Sequence, residues 1–250
     1  MPHPADDPRI RAALADPARL AVVGALLAAE ADGHGGFAPP ARHRFDHLAT
    51  MAARALGTPW AALAVLDDAR AHVIGAYGLP PCPDHDRQFA ARATPGVQVV
   101  AACAPVALSG GAGASLVAAW EVTQLLPGAV AYLGVPVCAP GGTTVAVLSV
   151  LADGPRAWTP ADTQALRDLA RFAEAELALR LEARARRAAE ETERRFRAIV
   201  ERTQEVMVLL DARGRVTYAS PALGRVLGIP PAQVLRRHVL ARVHPDDVEV

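Results

Sequence analysis

The sequence contains no lysine, because all 26 of its basic residues are arginines. Without a lysine amine, the chain cannot form a P-loop, a Schiff base or the strand lysine of a protein kinase. The 26 arginines are balanced by 26 acidic residues, so the formal net charge is zero. Since nucleic-acid-binding proteins are typically basic, this balance argues against a nucleic-acid partner.

Cysteine and long hydrophobic runs are also scarce. The three cysteines lie far apart in the chain: Cys82, Cys103 and Cys138. They form neither a disulfide framework nor a C-x-x-C pair, so we expect a reducing, cytoplasmic environment. The apolar stretch 12–29 is interrupted by Asp16 and Arg19, and 97–108 is too short to cross a bilayer. We therefore expect no membrane span, and the acidic N-terminus does not resemble a signal peptide.

The first 160 residues combine helical and strand-like patterns. With 250 residues, 52% of them apolar, the chain can form one large domain or two small ones. Helical periodicity over 8–30 is interrupted at Pro17, so we expect two helices there, the second capped by Asp16. Strand hairpins are expected at 61–77 and 131–151, helices at 45–56 and 114–126, and either a helix or a strand at 97–102. This pattern predicts an α+β fold with an antiparallel sheet flanked by helices.

A long uninterrupted helix is predicted from Thr159 onward. Thr159 is a suitable N-cap, Pro160 occupies the first helical position, and no further glycine or proline occurs before about Gln204. An apolar stripe with mostly heptad-like spacing follows one side of this helix: Leu166, Ala170, Ala173, Leu177, Leu181, Ala185, Ala188, Thr192, Phe196, Ile199 and Thr203. Because one small domain cannot cover a helix of about 65 Å, we expect residues 161–204 to pair with a second copy in a homodimer.

Residues 205–250 contain two predicted strands and several short helices. The strands fall at 206–210 and 216–220, and the helices at 221–227, at 231–238 and from His244 onward. Because a lone hairpin is only marginally stable in water, we expect this region to be an incomplete and weakly stable domain.

Four motifs before residue 180 resemble the GAF domain of bacterial signalling proteins. They are FDHLATMAARALG at 45–57, AYGLP at 76–80, AYLGVPV at 131–137 and WTP at 158–160. The resemblance covers about 40–180, and DPARL at 16–20 is similar to the helix that often precedes such domains. It implies a sensory domain that binds a small ligand or serves in dimerisation.

Residues 196–247 similarly resemble the first half of a PAS domain. The motifs are LDARGRV at 210–216, LG at 227–228 and HPDD at 244–247, and we expect these residues to lack the three further strands of a PAS domain. Together the two resemblances imply four segments. These are a helical lead-in and loop (1–39), a GAF domain (40–160), a signalling helix (161–204) and an incomplete PAS domain (205–250).

The resemblances imply a cytosolic sensory module that detects a small ligand or a partner. A dimeric helix would pass the change to an output domain absent from this chain. A histidine kinase is the expected output, with a diguanylate cyclase or a serine phosphatase as alternatives. A dimerisation scaffold that binds no ligand is a further alternative. The 250 residues contain no catalytic motif, so the question whether the full-length protein is an enzyme stays open.

Aromatic residues are the candidates for ligand contacts in the expected GAF pocket, although each also fits a plain core position. The candidates are Trp60, Phe89, Trp120 and Tyr132. Cys82 and His85 lie near the point where some photosensory GAF domains attach a bilin. Those relatives place the histidine directly after the cysteine, whereas Pro83 follows here, so an ordinary loop cysteine is favoured.

Other pairs of polar residues are better explained as solvent-exposed side chains than as metal ligands or catalytic groups. His43 and His47 could share a helix face, but no third metal ligand is in view. Two carboxylate pairs fall in predicted turns: Asp67 with Asp68, and Asp84 with Asp86. Solvated loop acids are therefore favoured over acid–base catalysis. The sequence contains no evidence for a bilin, haem or metal, so the cofactor and the identity of any ligand are left open.

Two further patterns resemble those of nucleic-acid-binding proteins, but neither favours that function here. The arginine-rich run over 180–197 is interleaved with glutamates, which favours an exposed coiled-coil face over a nucleic-acid or membrane surface. The segment LADPARLAVVGALLA at 14–28 resembles the opening helix of winged-helix repressors. No recognition helix follows it, so DNA binding is not expected.

Overall fold

The computed structural model describes residues 6–30, 45–80, 88–202 and 205–244. These residues fall into two compact units, Met1–Arg184 and Ala185–Val250. In the first unit, helices cover both faces of an antiparallel sheet. None of the described helices is long and apolar enough to cross a membrane.

Among the described residues, three helices precede the sheet: α1 (Pro8–Leu14), α2 (Pro17–Glu30) and α3 (Asp46–Leu56). The predicted break at Pro17 is confirmed, because α1 ends at Leu14 and the Asp16 carboxylate accepts a hydrogen bond from Ala18 N at 3.1 Å. Asp16 thereby satisfies an amide that has no partner within α2. As predicted, α3 ends at Gly57, whose φ of 59° lies in the left-handed region that glycine adopts without strain.

Within the described residues, the sheet has six strands in the order β3-β2-β1-β6-β5-β4, and every neighbouring pair is antiparallel. The strands are β1 (Trp60–Leu66), β2 (Arg70–Tyr77), β3 (Gln88–Ala90), β4 (Val106–Leu108), β5 (Ala131–Cys138) and β6 (Thr144–Ala152). The β1–β2 and β5–β6 pairs confirm both predicted hairpins and the α+β class. Three residues are too few to show an alternating pattern, so β3 and β4 were not predicted.

Short helices connect the outer strands: α4 (Gly96–Ala102), α5 (Gly110–Ala118) and α6 (Glu121–Gln124), with a 3-10 turn at Ala91–Ala93. The prediction of one helix over 114–126 is wrong. Trp120 is fully buried and adopts an extended conformation (ψ 134°) between α5 and α6. The Thr123 hydroxyl donates to the Trp120 carbonyl at 2.7 Å, which satisfies a main-chain acceptor at the break.

The two faces of the sheet carry separate hydrophobic clusters, because alternate residues of a strand point to opposite faces. Leu133 of β5 packs with α2, α3 and the first part of the long helix α7 (Pro160–Arg202). Its neighbour Tyr132 packs with α1, α4 and α5. We call the side that contains Leu133 the α7 face and the side that contains Tyr132 the cavity face.

The helix α7 is a single helix of 43 residues that begins where the sequence predicts. Thr159 Oγ1 accepts a hydrogen bond from Asp162 N at 3.1 Å, and Asp162 Oδ2 accepts one from Thr159 N at 2.9 Å. This is a capping box. The first part of the predicted stripe is buried in the core of its own unit: Leu166, Ala170, Ala173 and Leu177. From 185 to 199 every residue is exposed, so only the second part of the stripe is available to a second copy.

The second unit contains the hairpin β7 (Val208–Leu210) and β8 (Val216–Ala219), followed by α8 (Ala222–Leu227) and a 3-10 turn at Val239–Arg242. The prediction of a helix over 231–238 is wrong. A 3-10 turn covers only Pro231–Gln233, and the following segment pairs with β8. Arg236 N donates to the Val216 carbonyl at 2.8 Å, and Val216 N donates to the Arg237 carbonyl at 2.9 Å. Main-chain pairing with a strand therefore replaces the predicted helix.

Candidate functional site

A cavity of about 60 Å³ lies on the cavity face of the sheet. Small side chains leave this space open, because Ala62 and Ala64 of β1 and Ala71 of β2 do not reach the residues opposite them. The described lining residues are Ala62, Ala64, Leu66, Ala71, Val73, Leu79, Phe89, Thr94, Pro95, Gly96, Val122, Leu126, Tyr132, Val147, Ser149 and Leu151. None of these side chains is charged, so the wall is apolar apart from three hydroxyl groups.

Tyr132 is the largest polar side chain in the wall of the cavity. Its ring lies along β5 over Gly134, where an added Cβ would be 2.2 Å from the Tyr132 hydroxyl. Only glycine therefore fits at that position. Burial raises the pKa of the Tyr132 hydroxyl, and the nearby Ser149 hydroxyl lowers it by less, so the phenol stays protonated at neutral pH.

The structure brings two of the four predicted aromatic residues to the cavity. Phe89 and Tyr132 line it, whereas Trp60 and Trp120 belong to the hydrophobic cluster beside it and are not among the lining residues. A ligand-contact role for the four residues stays a prediction. Ser149 was missed, although it is the one hydroxyl residue within the apolar run VAVLSVLA at 145–152, which was a visible signal.

The acidic turn between β1 and β2 has a structural function. Asp67 accepts a hydrogen bond from Ala69 N at 2.8 Å, and its Oδ2 lies 2.8 Å from His72 Nε2. Burial acts to raise the pKa of Asp67, but hydrogen bonds from His72, Arg70 and Ala69 outweigh this effect and leave the pKa below its usual value. Asp67 is half-buried and fixes the turn, and the neighbouring Asp68 is exposed, as expected for a solvated acid.

Most of the other polar pairs from the sequence lie outside the described residues. These are His43, Cys82, His85, Asp84 and Asp86. His47 is exposed on α3. Across the part of the chain that the structure describes, no three histidine, cysteine or acidic side chains are grouped so that they could hold a metal ion.

The arginine-rich part of α7 carries ion pairs one helical turn apart, as the sequence predicts. Arg186 contacts Glu190 at 2.9 Å, and Arg195 pairs with Glu191. Both pairs are exposed, which is the expected arrangement for a solvated helix face.

Strand β5 connects the cavity with α7. Tyr132 lines the cavity, the next residue Leu133 packs on the opposite face, and Cys138 N at the end of the strand donates to Glu174 Oε1 of α7 at 2.9 Å. A displacement of β5 at the cavity therefore has a direct mechanical path to α7.

The start of α7 is also tied to the first unit. The Arg156 guanidinium donates to the Leu56 carbonyl and to Asp162 Oδ1, the latter at 3.1 Å. The same guanidinium lies 4.5 Å from the centre of the Trp158 ring. These contacts hold the first turn of the helix against the end of α3.

Two known protein families match parts of this chain. Residues 40–177, more than half of the chain, match the GAF domain, and residues 194–250 match the PAS fold. No curated protein matches the sequence.

Several solved structures resemble the first unit at low sequence identity. The GAF domain of an Acinetobacter phosphoenolpyruvate-protein phosphotransferase is 16% identical, with 69% of this chain and 98% of that chain covered and a TM-score of 0.44. The GAF domain of the corresponding Coxiella burnetii protein is 16% identical, covering 68% and 96%, with a TM-score of 0.47. A domain of a Sinorhizobium meliloti 1021 protein described as a two-component sensor histidine kinase is 15% identical, covering 59% and 94%, with a TM-score of 0.41.

Proposed function

Because the chain belongs to the GAF domain family, we propose that it is a cytosolic sensory module that detects a small ligand or a partner. The GAF domain is the sensor, and α7 carries the change towards an output domain. We place the lead-in at 1–39, the GAF domain at 40–160, the signalling helix at 161–204 and the PAS segment at 205–250.

The observation that supports this proposal most strongly is the position of β5 between the cavity and α7. Tyr132 and Leu133 are neighbours in the chain, yet one side chain lines the cavity and the other packs towards α7. Protein interiors are closely packed and transmit strain, so a group that binds in the cavity and presses on its wall displaces the strand. The hydrogen bond from Cys138 N to Glu174 transmits such a displacement to the helix.

The second part of α7 is the proposed dimer interface. Phe196 and Ile199 of the apolar stripe are 54% and 67% exposed. Large exposed apolar side chains at helical spacing are typical of a surface that pairs with another helix. In a homodimer, this part of α7 would form a two-stranded helical element. A shift in the register of its two helices would carry the signal.

Size-exclusion chromatography with light scattering tests the dimer. We expect the wild-type chain to have twice the monomer mass, and the double variant Phe196→Glu, Ile199→Glu to be monomeric. The matched control Arg187→Gln, Arg194→Gln changes the net charge by the same amount on the opposite side of the helix, and it should stay dimeric. A monomeric wild-type chain, or a dimer that survives both double substitutions, would refute the proposed interface.

The proposed identity of the output domain rests on the resemblance to signalling proteins alone. A histidine kinase is the favoured output, and a diguanylate cyclase or a serine phosphatase are the alternatives. Sequencing the gene beyond codon 250 tests this choice. An open frame that leads into a phosphoacceptor helix and an ATP-binding domain is expected, and a cyclase or phosphatase sequence would replace that assignment.

A second candidate function is a dimerisation scaffold that binds no small molecule. The size of the cavity favours it, because 60 Å³ is far below the roughly 300–1,000 Å³ of ordinary small-molecule pockets. Thermal unfolding in the presence of small neutral compounds separates the two functions. A sensor gains stability when a compound binds the native state, whereas a scaffold gains none.

A further inference from the structure

The three hydroxyl groups in the cavity wall differ in whether they have a hydrogen-bond partner. The Thr94 and Ser149 hydroxyls each donate to a main-chain carbonyl, that of Ala91 at 3.2 Å and that of Ala62 at 3.4 Å. The Tyr132 hydroxyl is on a side chain that is 2% exposed, and it meets no partner in hydrogen-bond geometry among the described residues. Because a buried donor without a partner is unfavourable, one O–H group remains for a molecule in the cavity.

The cavity also restricts the charge and the size of a ligand. None of the described lining side chains is charged, so an ionic ligand would lose its hydration without compensation. One water needs about 10–15 Å³ of such space, so 60 Å³ accommodates about four to six atoms of that size. The space is too small for a nucleotide or a tetrapyrrole.

We propose that the cavity binds a small uncharged molecule with an apolar body and one oxygen acceptor, the chemistry of a short-chain ketone or aldehyde. Its oxygen accepts the proton of the Tyr132 hydroxyl, and its apolar body contacts Phe89 and the alanines of β1. The assignment rests on the proposed sensory function and narrows the ligand class of the same cavity.

Three probes of nearly equal shape separate hydrogen bonding, apolar contact and charge. Butanone has a carbonyl oxygen, 2-methyl-1-butene has a methylene group in its place, and propionate has a carboxylate. Each is titrated into the isotope-labelled chain, and chemical-shift changes are followed at the lining residues. We expect butanone and 2-methyl-1-butene to bind in the millimolar range, as suits such small ligands, and propionate not to bind.

The variant Tyr132→Phe is the matched control, because it keeps the ring over Gly134 and removes only the hydroxyl. We expect it to bind butanone about five- to tenfold more weakly, the value of one neutral hydrogen bond, and 2-methyl-1-butene within about twofold of wild type. A nuclear Overhauser effect between the methyl protons of butanone and the Tyr132 ring in the wild-type chain locates the probe without any substitution.

Three results would overturn the assignment. They are equal losses for both neutral probes in the variant, propionate binding as tight as that of butanone, and no chemical-shift change with any probe, as for a cavity that holds only water. Failure of the sensory function is distinguishable from these results. If butanone binds through Tyr132 but α7 does not respond, the ligand class stands and the relay fails. If no probe binds and the chain is still a dimer, only the ligand class fails.

Discussion

The two parts of α7 carry the same kind of apolar stripe, but only the first part is covered by the unit that it belongs to. Leu166 and Leu177 are 0% and 1% exposed, whereas Phe196 and Ile199 are 54% and 67% exposed. The stripe of the first part fixes the helix on the sheet, whereas the stripe of the second part is exposed. Heptad-like spacing alone therefore does not identify a coiled coil, because an amphipathic helix that packs on a sheet has much the same pattern.

The polar contacts of the two parts differ in the same way. In the first part, Glu174 accepts a hydrogen bond from the distant Cys138 N at 2.9 Å. In the second part, pairs such as Arg186 with Glu190 join residues one turn apart and are exposed. Such pairs contribute only about 0.3–0.5 kcal/mol each. The stability of the second part therefore depends on what covers its stripe.

The largest expected effect compares two leucines of the first part of α7. Leu177 is buried in the core and Leu179 is 62% exposed. We expect Leu177→Ala to lower the free energy of unfolding by about 2–5 kcal/mol, because it leaves a cavity. The control Leu179→Ala should change it by less than about 0.5 kcal/mol.

Urea unfolding followed by tryptophan fluorescence measures this difference. All three tryptophans lie in the first unit: Trp60, Trp120 and Trp158. The fluorescence therefore reports the unfolding of that unit alone. Equal effects of the two substitutions would mean that α7 does not pack on the sheet as described.

An intermediate effect is expected where the two parts of α7 meet. Ala185→Pro removes a helical hydrogen bond and clashes with the preceding turn, at a cost of about 3 kcal/mol to the helix, compared with about 1 kcal/mol for the control Ala185→Gly. We expect faster amide hydrogen exchange over 185–199 and an almost unchanged tryptophan unfolding transition. In a longer protein that carries an output domain, the same substitution should abolish the response to signal. A fall in the stability of the first unit as large as that of Leu177→Ala would show that the two parts unfold together.

The smallest effect concerns the cap that starts α7. The hydrogen bond from Thr159 N is the main reason why the pKa of Asp162 lies below its usual value, and Arg156 adds to it. Because the folded-state pKa is lowered, the contribution of Asp162 to stability is present above the unfolded-state pKa of about 3.9 and is lost as the pH falls through the folded-state pKa.

We expect Asp162→Asn to cost about 0.5–1 kcal/mol at neutral pH. The difference between this variant and the wild-type chain should shrink as the pH falls, and it should vanish below the folded-state pKa, where the carboxylate is protonated in both states. The exposed Asp168 on the same helix provides the control Asp168→Asn, which should cost less. Urea unfolding at several pH values tests this, and a cost that does not depend on pH would contradict the assigned cap.

Local chemistry made several elements of the fold predictable. The break before Pro17, the stop at Gly57 and the start of α7 at Thr159 each follow from the properties of one or two residues. The division of helix 114–126 was not predictable in this way, since it depends on the burial of Trp120 in a core built from distant segments.

The cavity was only partly predictable, because it forms from strands that are far apart in sequence. Ala62 lies opposite Ser149 only because β1 pairs with β6. The aromatic character of Phe89 and Tyr132 made them candidates in the sequence. The space itself is created by small alanines, which are so common in this sequence that their positions predict nothing. The need for glycine at 134 appears only once the Tyr132 ring is seen to lie over it.

The most direct test of the proposed relay is whether a change inside the cavity reaches α7. Ala64→Val adds two methyl groups at one of the lining residues of β1, so it fills part of the cavity without any ligand. Amide hydrogen exchange is then compared with that of the wild-type chain, with the tryptophan unfolding transition as the control for stability. We predict altered exchange at Cys138 and along residues 160–184 of α7. Changes confined to the residues that line the cavity would contradict the proposed relay.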